Sequence, residues 1–411
     1  MKQKWNEKYM YYGIMLFVVA IFLVIMLPER KKGETELDIE SKLPKIQQEE
    51  AQSKAQQQAQ MIRVVIKTNG FQEIAHAEIK FQAEGGLIAT AGDERREYGQ
   101  GEVFAVTPDD AMFQKGTIKV ESVVPEDKIT VSSLNRGYGT PSYRGSFELF
   151  SSAEGMILVN ELPLEEYLYA VVPSEMPASY ELEALKAQAV CARSYAYNQT
   201  QGLSYPEYNA HVDDSTSFQV YGNSKEQESA IQAVNETQGQ KLWYQNQVVT
   251  AYYYSTSCGK STGIEAWGTT PDEQNQYLQS VEICKEDGNA YEAELPWYRW
   301  RAVVQEGVLS NLIELNTATE IGTLQNVSVT KQGAGGVALQ IVAQGDGGSV
   351  TVDTENKIRR ALGGKGYKIE KQDGTVVDSQ TLLPSAFFQI EKSDKWRRIR
   401  TRNRDEPEWS E

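Results

Sequence analysis

Histidine and cysteine are scarce in this chain. Its 411 residues contain two histidines, His76 and His211, and three cysteines, Cys191, Cys258 and Cys284. No Cys-x-x-Cys pair occurs, which excludes a zinc knuckle of the usual spacing, and an odd cysteine count excludes a scaffold held entirely by disulfides. Cys258 and Cys284 are free to pair or to stay apart on this evidence. Any Ser-His-Asp or Cys-His chemistry would have to run through one of two histidines. A basic face is also missing. The formal net charge is −16, so nucleic acid is not an expected partner. The one basic cluster, residues 395–404 with Arg397, Arg398, Arg400 and Arg402, reads as a solvated tail. No internal repeat is present.

The chain does have one long apolar run. Residues 9–27 carry no charge and include Ile14, Leu16, Phe17, Val18, Val19 and Ile21, about the length a membrane-spanning helix needs. No small-x-small cleavage site follows, so the expectation is a retained single-pass anchor over residues 1–32, with the folded part outside the cell. Residues 33–60 are rich in Gln, Glu, Lys and Ala and read as a polar stalk.

From Met61 the texture is globular. Ile62, Val64, Val65 and Ile66 form a β-type run closed by Asn69-Gly70, and residues 76–81, 117–123 and 128–133 repeat the signal. Residues 61–139 are therefore expected to form a β-rich module. Further on, 168–172 reads as a strand broken by Pro173 and Pro177, whose rings should hold Glu175 in a fixed non-helical loop. Leu182, Leu185, Ala189 and Ala192 share one face of a helix over 180–197, with Lys186 and Arg193 on a neighbouring stripe. A second helix is expected over 226–237 and a third over 353–362. Residues 248–255 read as a buried strand, and 297–300, 324–329 and 339–342 as later strands. The fold class is α+β: anchor, stalk, β-rich module, then a mixed α/β domain.

The middle of the chain carries motifs with a known likeness. Pro173-Ser174-Glu175-Met176-Pro177, then Glu183-Ala184-Leu185-Lys186-Ala187-Gln188-Ala189, then Gln219-Val220-Tyr221, Tyr252-Tyr253-Tyr254-Ser255-Thr256-Ser257-Cys258-Gly259 and Trp267-Gly268 occur in the order seen in the SpoIID/LytB domain family. The resemblance covers about residues 140–391 and leaves 392–411 as a charged tail, where family members instead continue into a Gly/His-rich block. It implies a peptidoglycan lytic transglycosylase that cleaves glycan strands in cell-wall remodelling, in sporulation above all. The alternative it carries is a non-catalytic amidase enhancer or wall-binding scaffold of the LytB type, working with other cell-wall hydrolases.

By that resemblance Glu175 is the catalytic acid. Lys186, Arg193, Gln219, Tyr221 and Ser255 are the substrate-binding candidates, with a surface, ion-pair or loop-fixing role equally open to Lys186 and Arg193. One carboxylate suffices if the muramic acid 6-hydroxyl replaces external water, because the residue that protonates the leaving oxygen then accepts the proton of that hydroxyl. A hydrolase would ordinarily need two. Read without the resemblance, Glu175 is a helix-entry carboxylate capping backbone amides. Gln188 reads as solvated, and alternate members of Tyr252, Tyr253 and Tyr254 offer a stacking surface. Some family members bind zinc near the Gln-Val-Tyr block through His and Cys. Here the block reads His211-Val212-Asp213-Asp214 without cysteine, and neither metal nor cofactor is expected.

Overall fold

The computed structural model describes residues 60–393 and 396–401. The expected anchor over 9–27 lies outside them, as does all of the stalk but Gln60. Among the described residues no helix is long and apolar enough to cross a membrane. The membrane-spanning helix in the expected fold class, the single-pass localisation and the membrane as a partner are corrected accordingly. What the structure does have is a β-rich mixture of strands and helices in two compact units.

The first unit takes in the described residues up to 189 together with 199–240. Its centre is an eight-stranded sheet in which Met61–Ile66 lies between Gly155–Pro163, antiparallel, and the two-residue strand Val212–Asp213, parallel. The run of β-branched residues after Met61 explains the position. Ile62, Val64, Val65 and Ile66 are all fully buried, which suits a strand covered on both faces. A four-stranded sheet of Phe104–Val106, Ile79–Gln82, Ile129–Val131 and Ser142–Tyr143 completes the β part. Since Gly155–Pro163 pairs with Met61–Ile66, this unit does not break at residue 139.

Three helices follow the sheet, and the first differs from expectation. Residues 168–172 are not a strand. They lie inside helix α1, Leu164–Glu175, which runs through Pro173 and ends on Glu175. Pro173 removes one intrahelical hydrogen bond, to the carbonyl four residues before it, and the helix stops two residues later. Met176 is extended, as a residue before Pro177 should be. Helix α2, Leu182–Gln199, and helix α3, Glu228–Glu236, lie where the apolar spacing puts them. In α3, Ala230, Ala233 and Val234 form the buried i, i+3, i+4 stripe. Tyr169 of α1 donates its hydroxyl to Asn235 of α3 at 2.7 Å.

The second unit holds residues 190–198 and the described residues from 241 onward. Helices α4, Glu306–Thr317, and α5, Glu355–Leu362, share a core with Trp300, Ile341 and Ile399. The expected buried strand over 248–255 is reduced to Gln247–Val248, paired with Trp243–Tyr244. Beyond it Ala251 is buried while Tyr252 and Tyr254 are exposed, so the run is covered on one side only. The charged tail is the larger correction. Phe388–Ser393 and Trp396–Thr401 form a hairpin, and Trp396–Thr401 is an interior strand of a five-stranded sheet beside Trp300–Gln305. Arg397, Ile399 and Thr401 point inward along this strand with period two. The Arg397 guanidinium, 1% exposed, is neutralised by Glu306 and donates to the Gln325 carbonyl. Arg400 pairs with Glu391 at 2.6 Å. These arginines are strand residues with fixed partners, and a charge run was a misleading description of them.

Candidate active site around Glu175

Glu175 is the last residue of α1 and is half-buried. Its Oε1 accepts the Val220 backbone N–H at 2.7 Å. The neighbouring Ser174 hydroxyl donates to the Ala170 carbonyl at 2.6 Å and accepts the amides of Asn223 and Ser224, each at 3.1 Å. The end of α1 therefore grips residues 220–224 with two consecutive side chains. The charge environment reverses the expected one. A helix N-terminus would have favoured the carboxylate, but Glu175 belongs to a C-terminal end, whose partial charge is negative. The Val220 amide is a dipole that supports its anionic form.

The loop is itself held from below. Asp213 Oδ1 accepts the Ser215 N–H at 2.8 Å and the Ser215 hydroxyl at 2.6 Å. Asp214 is fully buried and takes Arg136 Nη2 at 2.7 Å and the Lys67 N–H at 3.0 Å, while its own carbonyl receives the Tyr221 N–H at 3.2 Å. The Tyr221 hydroxyl donates to Asn160 at 2.8 Å, and the Tyr221 ring lies 4.8 Å from that of Tyr167. Tyr167 donates to Gln219 Oε1 at 3.4 Å. Gln219 and Tyr221, expected to bind substrate, are thus 1% exposed and position the loop that meets Glu175.

The other expected contacts divide. Lys186 stands in the same unit as Glu175 but is tied to Glu183 at 2.8 Å and Glu236 at 2.6 Å. Those carboxylates hold its ammonium above the ordinary range. Arg193 and Ser255 belong to the second unit, Arg193 buried at 1% exposure and Ser255 exposed in an irregular segment. Gln188 is not solvated. It is buried, and its Nε2 has no hydrogen-bond partner among the described residues. An amide donor in that condition costs stability unless a ligand or water receives it.

The His211-Asp213-Asp214 group is fully engaged by protein. His211 Nδ1 accepts the Arg63 N–H at 2.9 Å, and burial with nearby Arg63 lowers its basicity. Asp213 also receives the Tyr205 hydroxyl at 2.6 Å. Among the described residues no three His, Cys, Asp or Glu side chains are grouped to hold a metal.

Sequence reasoning did not find Ser174, Arg136 or Gly222. Gly222 follows the loop at φ +71°, and a Cβ there would stand 2.8 Å from Tyr143 Cε1. Gly222→Ala is expected to lower stability by about 1–2 kcal/mol. A melting temperature equal to wild type would show that the loop relaxes freely at this point.

The family-model match falls on the earlier motifs, through Gln219-Val220-Tyr221, and ends before Tyr252. The SpoIID family model, described as stage II sporulation protein, matches residues 152–244. Stage II sporulation protein D of Bacillus subtilis is 39% identical over 137 residues, 30% of this chain and 39% of that protein. Its counterpart in Bacillus amyloliquefaciens is 38% identical over 138 residues, with the same coverage. The amidase enhancer of Bacillus subtilis is 42% identical over 104 residues, 25% of this chain and 14% of that protein. The chain thus spans about two fifths of the length of the sporulation relatives it matches. The family model covers α1, α2, α3 and the loop at Val220, so the part of the chain that is similar to the SpoIID family is the segment built around Glu175.

Proposed function

We propose that the chain is a peptidoglycan lytic transglycosylase acting on wall glycan strands in sporulation, with Glu175 as its acid and base. The observation that carries the reading is the Glu175 carboxylate itself: half-buried, hydrogen-bonded to the Val220 amide, at the end of a helix gripped by the 220–224 loop. In the proposed reaction Glu175 gives its proton to the glycosidic oxygen as the C1–O bond breaks. The muramic acid 6-hydroxyl then attacks C1, its proton passes to Glu175, and a 1,6-anhydro end results. The buried Gln188 amide is a donor suited to a sugar hydroxyl. The test is incubation of the full chain with purified glycan strands, with and without stem peptides. Release of soluble fragments supports the reading, and intact strands in both cases overturn it.

A second reading follows from the likeness to the amidase enhancer. It requires stimulation of a wall amidase with no cleavage of glycan by the chain alone, so the same incubation separates the two.

An aromatic pair in the second unit fits either reading as a glycan contact. Tyr252 and Trp267 stack at 4.9 Å and are 50% and 44% exposed. Trp267→Ala is expected to weaken retention on glycan strands about tenfold, measured by co-sedimentation. Unchanged retention would make the pair a packing feature.

A further inference from the structure

The second unit contains a short antiparallel contact outside its named strands. Lys260 faces Glu282, and their side chains form an ion pair at 3.1 Å. The flanking amides fix the register: Ser261 donates to Val281 and Ile283 donates to Gly259, both at 2.9 Å. Cys258 lies two residues before Lys260, across the bend made by Gly259 at φ +90°, and Cys284 lies two residues after Glu282, so the contact draws the two cysteines toward each other. A second observation agrees with the register. Cys258, Lys260, Glu282 and Cys284 all line one cavity of about 730 Å³.

We propose that Cys258 and Cys284 are a redox pair, which a disulfide oxidant such as oxidised glutathione closes into an intramolecular disulfide across this cavity. Both are thiols in the structure, Cys284 exposed and Cys258 half-buried. Exposure makes Cys284 the entry point: its thiolate attacks one sulfur of the oxidant and expels a glutathione thiolate. Cys258 then attacks the Cys284 sulfur of the mixed disulfide, and the second glutathione leaves. Two protein thiols are oxidised and one glutathione disulfide is reduced to two thiols, so the exchange balances. Burial pushes the Cys258 thiol up, which favours its role as the resolving rather than the attacking sulfur.

The segment the bond would close is sparsely held. Between the two cysteines the only helical element is the short turn Ile264–Trp267, and the backbone is otherwise irregular. A cross-link there restricts the unfolded chain and fixes the segment carrying Trp267 and Tyr277.

The test uses the full chain. It is equilibrated with oxidised glutathione, its remaining thiols are alkylated under denaturing conditions, and it is digested for mass spectrometry. The expected result is one peptide pair joined through Cys258 and Cys284, Cys191 alkylated, and a melting temperature raised by about 5–10 °C that returns on reduction. Cys284→Ser should show neither the linked pair nor the rise. Separate glutathione adducts on Cys258 and Cys284, a link involving Cys191, or alkylation of all three would each overturn the proposal. None of these readouts depends on glycan cleavage.

Discussion

Asp214→Ala is expected to lower the stability of the chain by about 3–5 kcal/mol at a pH near 8, because it leaves the Arg136 guanidinium charged in a fully buried place. Arg136 is 6% exposed and Asp214 fully buried, so water cannot replace either partner. Arg136 also lies over the Phe71 ring at 4.2 Å. Replacing both partners, Arg136→Met with Asp214→Leu, should restore much of what either single change loses. Chemical denaturation of the four proteins checks this, and additive losses would mean the two groups act independently. The same carboxyl gives a pH dependence. Burial pushes it up to about 7, with Arg136 and the Lys67 amide acting the other way. A carboxyl whose folded value lies above its ordinary 3.8 contributes stability while it is protonated. That contribution is complete below about pH 4 and is lost as the pH rises through about 7. The melting temperature of the wild type, taken relative to Asp214→Asn, should therefore fall between about pH 4 and pH 7. A flat difference would mean that Arg136 keeps Asp214 ionised throughout.

Glu175→Gln is expected to reduce glycan cleavage roughly 10²–10⁴-fold, the usual contribution of acid–base catalysis. Gln keeps a side-chain oxygen for the Val220 amide, so the grip on the 220–224 loop survives and the melting temperature should move little. A purely structural role for Glu175 predicts the opposite: lower stability, with activity falling only in proportion. Ser174→Ala separates the two effects. It removes the hydroxyl that receives the Asn223 and Ser224 amides, so it should cost stability while leaving a proton donor in place.

How far the sequence could be read depended on whether a feature was local. The stripe Ala230, Ala233 and Val234 and the pattern Ile358, Ala361 and Leu362 are spaced for a helix, and helices are there. The β-branched run after Met61 is a strand covered on both faces. The residues around Pro173 misled because one proline was read as a breaker, whereas α1 carries it in its final turn at the loss of one intrahelical hydrogen bond. The arginines at 397–400 misled for a different reason. Their neutralising partners, Glu306 and Glu391, come from other segments, and alternation along six residues is easily read as a solvated charge run. Glu175 was legible through its motif. Its contact is a backbone amide 45 positions away, which no side-chain pattern reveals. The pairing of Arg136 with Asp214 is likewise invisible until the fold brings them together.

The central claim rests on what kind of chain end is made. Glycan strands should be digested with the full wild-type chain and with Glu175→Gln in parallel, and the new termini weighed by mass spectrometry. The account predicts 1,6-anhydro muramic ends from the wild type and almost none from Glu175→Gln. Reducing ends from the wild type, no cleavage at all, or equal cleavage by both proteins would contradict it.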